Sequence, residues 1–291
     1  DFTLRVVSGS GTTVLAGDVY IDEIAILPAV DTTAPTLSAV SISSSNSTST
    51  LAKATAVITL AMTASETLKT PVVTFTSGGA AISDSSVTYT HASGDTWTAA
   101  YTVESGDTAG AVGYSIAFDD TSGNSGTAVT SGSGSASVDV TAPTLASVTA
   151  ISTPAANVTP SFVFSSDEAG TITSSITEGF STSASAVSGN NTITFNALGD
   201  GTYSGKTITV TDPTGNATSL TIPTFAIDAT GPTMTIASST VNSGATSNSS
   251  SISVSFTANE STSNFAAGDV TVGSGSLTNF SGSGTGYTAT V

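Results

Sequence analysis

Apolar and polar side chains alternate in short runs along most of the chain, as they do in strands that bury one face. Turn sequences rich in Gly, Asp and Asn, such as those at 77–79 and 122–124, separate these runs. Between residues 31 and 140 the alternation predicts seven strands, at 37–42, 56–64, 71–75, 87–90, 97–103, 114–118 and 136–140. Short strands at this density are typical of a two-sheet β-sandwich, so we expect an all-β protein.

A short motif, D-x-x-[A/G]-P followed by Thr, recurs three times. It occupies residues 31–35, 139–143 and 228–232, and its successive prolines are 108 and 89 residues apart. Each interval is about the length of one sandwich domain, and Pro is suited to a boundary because it ends a strand ladder and fixes φ. We therefore predict three tandem repeats, at 31–138, 139–227 and 228–291, and we expect the third to be truncated.

Residues 1–30 do not follow this pattern. Alternation there predicts two strands, near 2–7 and 19–27, joined by a Gly-rich loop. The stretch 17–24, with the sequence GDVYIDEI, resembles the last strand of bacterial jelly-roll domains of the lectin and carbohydrate-binding type. We predict that residues 1–30 are the C-terminal hairpin of a separate upstream β-domain.

The charge balance is strongly acidic, with four Lys and Arg residues against 21 Asp and Glu and a formal net charge of −17. Nucleic acid is excluded as a partner, and direct membrane insertion is not expected, because the chain has neither clustered basic residues nor a long apolar stretch. Cysteine is absent, which excludes thiolate catalysis and Cys-based zinc sites. The natural partners of such a surface are cations.

Several stretches of residues 31–291 resemble the bacterial immunoglobulin-like domains of large surface and secreted proteins. The resemblance is carried by TASETL at 63–68, DDTSGN at 119–124, FSSDEAGTI at 164–172 and ITVTDPTGN at 208–216. It implies tandem immunoglobulin-like β-sandwiches in a rod, at an extracellular or cell-surface location. It also implies a structural or adhesive role without catalysis.

In an immunoglobulin-like sandwich, the second-to-third strand loop and the last hairpin lie at the end where the first strand enters. The acidic motifs of this chain fall in those loops and in the preceding linkers, so we expect them to meet. The predicted metal-ligating residues are Asp31, Glu66, Asp119, Asp120 and Asn124 in the first repeat, Asp139, Asp167, Glu168, Asp212 and Asn216 in the second, and Asp228 and Glu260 in the third.

Carboxylates that converge at one exposed end raise one another's pKa unless a cation neutralises them. Calcium suits such a site, because it accepts six to eight oxygen ligands at flexible geometry. We expect calcium to bridge linker and loops and to stiffen the hinge. A structural alternative stays open: Asp and Asn in D-x-x-G-N also form β-turns, so that Asp120 and Asp212 would be turn formers alone and a linker Asp would keep the hinge hydrated.

Catalysis is not expected. His91 is the only histidine, and it lies beside a turn with no nucleophile elbow or oxyanion-hole motif. Trp97 and Tyr101 alternate with polar residues on one strand, which indicates a core face rather than a sugar-binding platform.

We expect a non-catalytic structural or adhesive stalk segment of a large extracellular bacterial protein. One alternative is the spacer and carbohydrate-binding region of a secreted polysaccharide-degrading enzyme. Another is a subunit of an extracellular assembly such as a surface layer, sheath, filament or phage fibre, in which exposed strand edges pair with neighbouring chains. Besides calcium, the partners considered are cell-surface glycans and other copies of the same chain.

Overall fold

A computed structural model describes residues 29–84 and 86–291, and these residues contain strands and one short 3-10 helix but no α-helix. The hairpin predicted within residues 1–30 lies outside the described residues. The strands of the first repeat are β1 (Leu37–Ser44), β2 (Leu51–Ala52), β3 (Val57–Ala64), β4 (Val72–Ser77), β5 (Ala80–Ala81), β6 (Thr88–Ser93), β7 (Thr96–Thr102), β8 (Gly110–Ala117) and β9 (Ser137–Val138).

The strands of the first repeat form two sheets, with the orders β1-β3-β7-β6 and β2-β9-β8-β4-β5. This is the immunoglobulin arrangement, in which the first, second, fifth and fourth main strands share one sheet and the remaining strands share the other. β2 runs parallel to β9, so the first and last strands of the second sheet are neighbours. The expected all-β immunoglobulin-like fold is confirmed.

The alternation in β3 explains how the first sheet builds its core. Residues at every second position of this strand are buried, and Leu60 pairs with Ile42 on one side and Ala99 on the other. On the neighbouring strand β7, Tyr101 is buried on the same face, whereas Trp97 near the start of β7 is only half-buried. The predicted inward face therefore holds, with Trp97 at its rim.

The second repeat adds shorter strands. They are β10 (Leu145–Thr149), β11 (Ser161–Ser166), β12 (Gly170–Ser174), β13 (Ser185–Ala186), β14 (Gly189–Thr194), β15 (Gly201–Tyr203), β16 (Thr207–Thr211), β17 (Ala217–Thr221) and β18 (Phe225–Ile227). β10-β11-β14 faces β13-β12-β16-β17, and β15 pairs with β18. Four phenylalanines, Phe162, Phe164, Phe195 and Phe225, fill the core between them.

The described part of the third repeat is one sheet. It consists of β19 (Met234–Ser238), β20 (Ser253–Thr262) and β21 (Thr278–Thr290), in the order β19-β20-β21, with the 3-10 helix Ala267–Asp269 between the last two strands. Phe256 and Tyr287 are buried, and Phe265 and Phe280 pack against them. Buried apolar side chains thus fall into three separate clusters, one for each sequence repeat.

Candidate cation site at the repeat entries

The last hairpin of the first repeat turns at the D-x-x-G-N sequence 120–124. Oδ1 of Asp120 accepts the backbone N–H groups of Gly123 and Asn124 at 2.6 and 2.8 Å, and Oδ2 accepts Nδ2 of Asn124 at 2.7 Å. Gly123 has φ +98°, a left-handed conformation that glycine adopts without strain. Asp120 therefore shapes this turn, as the structural alternative expected.

The second repeat builds the same turn at 212–216. Asp212 accepts from the N–H groups of Gly215 and Asn216 at 2.6 and 2.9 Å and from Nδ2 of Asn216 at 2.8 Å. Gly215 has φ +100°. Asp120 and Asp212 are both buried, with 1% and 5% of their surface exposed. Buried carboxylates need such donors, since an unpaired one is costly to desolvate.

The asparagine of each turn also holds the linker that leads into its repeat. Nδ2 of Asn124 donates to the carbonyl of Asp31 at 3.1 Å, and Nδ2 of Asn216 donates to the carbonyl of Asp139 at 3.0 Å. The amide nitrogen of each side chain thus faces oxygen acceptors. Asn124 and Asn216 position the turn against the linker through Nδ2, and the expectation that they ligate a metal stays a prediction.

A second contact fixes the linker to the loop between the second and third main strands. The backbone N–H of the Thr that follows the repeat-boundary proline donates to the side chain just before the glutamate of that loop. The three pairs are Thr36 to Oγ of Ser65 at 3.0 Å, Thr144 to Oδ1 of Asp167 at 2.7 Å and Thr233 to Oδ1 of Asn259 at 2.7 Å. Asp167 therefore serves as a linker acceptor, and the sequence analysis missed the matching roles of Ser65 and Asn259.

These contacts bring three carboxylates together at the entry of each of the first two repeats. The carboxylates of Asp31, Glu66 and Asp120 offer oxygens within 4.8 Å of one another; we call them the first acid group. A second acid group contains Asp139, Glu168 and Asp212 at the same spacing. In each group, linker, loop and turn contribute one carboxylate each, as the strand order predicted.

The glutamate of each acid group has a raised pKa. Desolvation, followed by the negative charges of Asp31 and Asp120, raises the pKa of Glu66 above its ordinary value of 4.5. Desolvation, followed by the charges of Asp139, Asp212 and Asp167, raises the pKa of Glu168 in the same way. Each group thus holds more negative charge than its neighbours stabilise, which favours a proton or a cation.

The turn aspartate behaves differently. Desolvation alone would raise the pKa of Asp120, but hydrogen bonds from Asn124 and Gly123 outweigh it, so this pKa falls below its ordinary value of 3.8. Hydrogen bonds from Thr144 likewise lower the pKa of Asp167. Hydrogen bonds thus favour the anionic form of one carboxylate at each of these two entries, Asp120 through its own turn in the first repeat and Asp167 through the linker in the second.

The remaining predicted ligands lie apart from these groups. Asp119 is exposed, next to Asp120 in sequence but directed by its position to the other side of the hairpin. In the third repeat, Asp228 and Glu260 do not form a three-carboxylate group within the described residues. Residues 228–291 contain no D-x-x-G-N sequence, and so they contribute no turn carboxylate equivalent to Asp120 or Asp212.

His91 and Trp97 form a stacked pair on adjacent strands. Their ring centroids are 4.5 Å apart at 19°, and Nε2 of His91 is 2.6 Å from the carbonyl of Gly94. His91 is exposed, and its ring covers one face of Trp97. Trp97 also packs against the first core, so the pair lies at its edge.

The class of the protein follows from strand order and site together: it is built of tandem immunoglobulin-like β-sandwiches whose entries carry acidic linkers and loops. Residues 228–291 match the family model described as a bacterial Ig-like domain. No helix within the described residues is long and apolar enough to cross a membrane.

Solved structures with a similar arrangement include two three-domain titin fragments. A three-Ig titin structure with Glu-to-Ala changes is 11% identical, with a TM-score of 0.43, covering 89% of this chain and 88% of the titin chain. An I-band titin fragment is also 11% identical with a TM-score of 0.43, covering 90% and 89%. A tetra-tandem repeat from the extending region of a large adhesion protein is 18% identical with a TM-score of 0.28, covering 78% and 58%. A comparison with curated protein sequences finds no match.

Proposed function

We propose that this chain is a stalk segment of a large extracellular bacterial protein and that calcium at the repeat entries stiffens it. The observation that carries the proposal is the recurrence of one arrangement. Linker, loop and turn each contribute a carboxylate to the first acid group, and the same three positions do so in the second. A feature that recurs at the entries of the first two repeats is suited to one shared role, which is to limit bending at those entries.

The chemistry of the acid groups favours a divalent cation. Three carboxylates with oxygens within 4.8 Å repel one another. Desolvation, followed by this repulsion, raises the pKa values of Glu66 and Glu168. A cation removes the repulsion and bridges segments that are separate in sequence. In the second group it would join linker Asp139 to loop Glu168, because Asp212 already gives three of its lone pairs to its own turn.

Calcium fits better than magnesium. Its ligand shell is large and tolerant of irregular geometry, whereas magnesium requires near-ideal octahedral order and keeps several waters. The acid groups lie at partly exposed loop ends, where water can complete a shell of six to eight oxygens. A net charge of −17 over 291 residues also suits a protein that works among dissolved cations outside a cell.

The stalk and its location rest on the family of the third repeat and on the composition. Bacterial Ig-like domains stacked in tandem separate an attached part from a surface without performing chemistry themselves. In this proposal the repeats act as spacers, and adhesion would reside in other parts of the protein or in weak contacts with glycans.

The test is calcium titration of the whole chain by calorimetry, combined with thermal unfolding. We expect binding to the chain and a higher Tm for the first two repeats. The double variant Glu66→Gln and Glu168→Gln removes one carboxylate from each acid group and should abolish both effects. Its matched control is Glu104→Gln with Glu178→Gln, which removes the same charge from exposed positions and should leave both effects intact.

Two results would contradict the cation part of the proposal: no heat of binding, or equal calcium stabilisation in both double variants. Small-angle scattering tests the mechanical part. With calcium the particle should stay extended, and after chelation the scattering should show a broader range of shapes. Scattering that is identical in both conditions would mean that calcium does not set the stiffness.

A further inference from the structure

The first repeat reaches the turn of the second repeat with two side chains. Nδ2 of Asn46 donates to the carbonyl of Thr214 at 2.8 Å, and Nζ of Lys53 donates to the carbonyl of Gly215 at 3.0 Å. Both acceptors belong to the 212–216 turn that holds Asp212. The two repeats are therefore joined by side-chain contacts as well as by the covalent linker.

Backbone bonds hold both donors at the end where the chain leaves the first repeat. Asn46 follows β1, and its N–H donates to Oγ of Ser44 at 3.1 Å. Lys53 follows β2, which runs parallel to β9, and the N–H of Asp139 donates to the carbonyl of Ala52 at 2.9 Å. The linker thus begins beside Ala52, the residue that precedes Lys53. Both donors are therefore held in place by contacts within the first repeat and its linker.

Burial of the two equivalent turns shows the effect of these contacts. Thr214 is 5% exposed, although it lies at the tip of a hairpin. Ser122 holds the matching position in the turn of the first repeat and is exposed. The turn of the second repeat is covered because Asn46 and Lys53 lie against it.

Lysine is scarce in this chain, which makes its placement informative. Lys53 is one of only four basic residues in the sequence. A Cβ built on Gly215 would lie 3.4 Å from Nζ of Lys53, and one built on Gly123 would lie 3.8 Å from Nζ of Lys69. Each D-x-x-G-N turn thus has an ammonium group beside its glycine. In the first repeat the lysine comes from the same repeat, and in the second it comes from the repeat before.

We propose that Asn46 and Lys53 form a clasp on the 212–216 turn that fixes the orientation of the first two repeats. The clasp surface is the exit end of the first repeat, and its partner is the backbone of the hairpin turn of the next. Inter-domain surfaces within a chain allow relative motion unless specific contacts restrain them, and here two hydrogen bonds to adjacent carbonyls do so. The clasp uses carbonyls and no carboxylate, so it acts with or without calcium in the second acid group.

The test measures the distance between spin labels on the two repeats in the full chain. The protein has no cysteine, so Thr90→Cys and Thr192→Cys, both exposed strand positions, can be labelled selectively. In chelator, we expect a narrow distance distribution for the otherwise unchanged chain. Asn46→Ala combined with Lys53→Met should widen it by about twofold, because the restraint on inter-repeat motion is lost. Met keeps the apolar stem of Lys53 and removes only the ammonium donor.

Lys69→Met is the matched control, because it removes the same charge beside the equivalent turn without touching the second repeat. It should leave the distribution narrow. Circular dichroism of each variant confirms that the strands remain folded. A distribution that is equally narrow in the Asn46 and Lys53 double variant would overturn the clasp. For the chain with Asn46 and Lys53 unchanged, a distance distribution that is wide in chelator and narrow only with calcium would overturn the clasp and support the cation proposal. A distribution that is wide in both conditions would contradict both proposals.

Discussion

The backbone N–H of Thr144 donates a hydrogen bond of 2.7 Å to Oδ1 of Asp167, and so it ties the linker to the loop that carries Glu168. Its counterparts are the Thr36–Ser65 and Thr233–Asn259 pairs. The acceptor varies among Ser, Asp and Asn, since any side-chain oxygen at this position can accept the bond. The residue after it is glutamate in all three repeats, so the same contact that fixes the linker also sets where that carboxylate lies.

Asp212 should matter for stability even without a cation. We expect Asp212→Ala to destabilise the second repeat by about 2 kcal/mol, because a buried turn loses the acceptor of three hydrogen bonds. Calorimetric unfolding of the full chain measures the loss. Trp97, the only tryptophan, belongs to the first core, so its fluorescence follows the first repeat separately and should change much less.

The control for this variant is Glu178→Ala, which removes one negative charge from an exposed position of the same repeat. Its effect should stay within about 0.5 kcal/mol. Equal effects of the two variants would mean that charge, and not turn geometry, accounts for the loss.

Glu168 should give the second repeat an unusual dependence on pH. Its folded pKa is raised above 4.5, so between that value and the raised one the folded state holds more protons than the unfolded state. In chelator, this residue's contribution to stability therefore falls as pH rises through that window. Glu168→Gln mimics the protonated form, and we expect it to raise Tm at neutral pH and to reduce this slope.

The difference between Glu168→Gln and the parent chain, measured by thermal unfolding across acidic and neutral pH, isolates this contribution. Asp167 acts in the opposite sense, because its lowered pKa adds stability that is lost on acidification. Glu178→Gln serves as the control. A parent slope unchanged by Glu168→Gln would show that the second acid group carries no repulsion.

Gly215 should resist substitution. Its φ of +100° is strained for any residue with a Cβ, so we expect Gly215→Ala to cost about 1–2 kcal/mol in the free energy of unfolding. Gly199→Ala is the control, because a Cβ there meets open space and its φ lies outside the left-handed range. Urea unfolding of both variants makes the comparison. Equal stabilities would indicate that the turn adopts another conformation in solution.

The second junction depends on a different residue. Asp200 accepts the N–H of Ala229 at 2.8 Å and the hydroxyl of Thr230, and these bonds, the Thr230 hydroxyl foremost, lower its pKa. We expect Asp200→Ala to speed hydrogen exchange at the Ala229 amide by roughly tenfold, because that amide loses its acceptor. Asp228→Ala is the nearby control. The parent chain should also lose protection at Ala229 as pH falls through the pKa of Asp200, since protonation weakens the charge-assisted bond that the Ala229 amide donates to this carboxylate.

Much of this architecture could be predicted from sequence, because strands that bury one face leave a period of two in the order of side chains. β3 and β7 follow that period closely and lie within a residue of their predicted bounds, 56–64 and 97–103. In the second repeat, the sequence over 220–227 predicts one strand, whereas the structure has β17 and β18 there, since Pro223 interrupts the ladder between them. Short strands such as β2 and β5 have too few residues to show any period.

The sequence by itself determined the sandwich class and the set of residues from which the acid groups are drawn, because spacing and alternation are local properties. Only the tertiary structure decided which of those residues meet. Asp31, Glu66 and Asp120 are far apart along the chain and are brought together by strand order, whereas neighbouring Asp119 is turned away by the alternation of an extended chain. The tertiary structure also decided which atoms each side chain contacts. Asn124 and Asn216 donate hydrogen bonds to the linker, and Lys53 donates one to the turn of the second repeat.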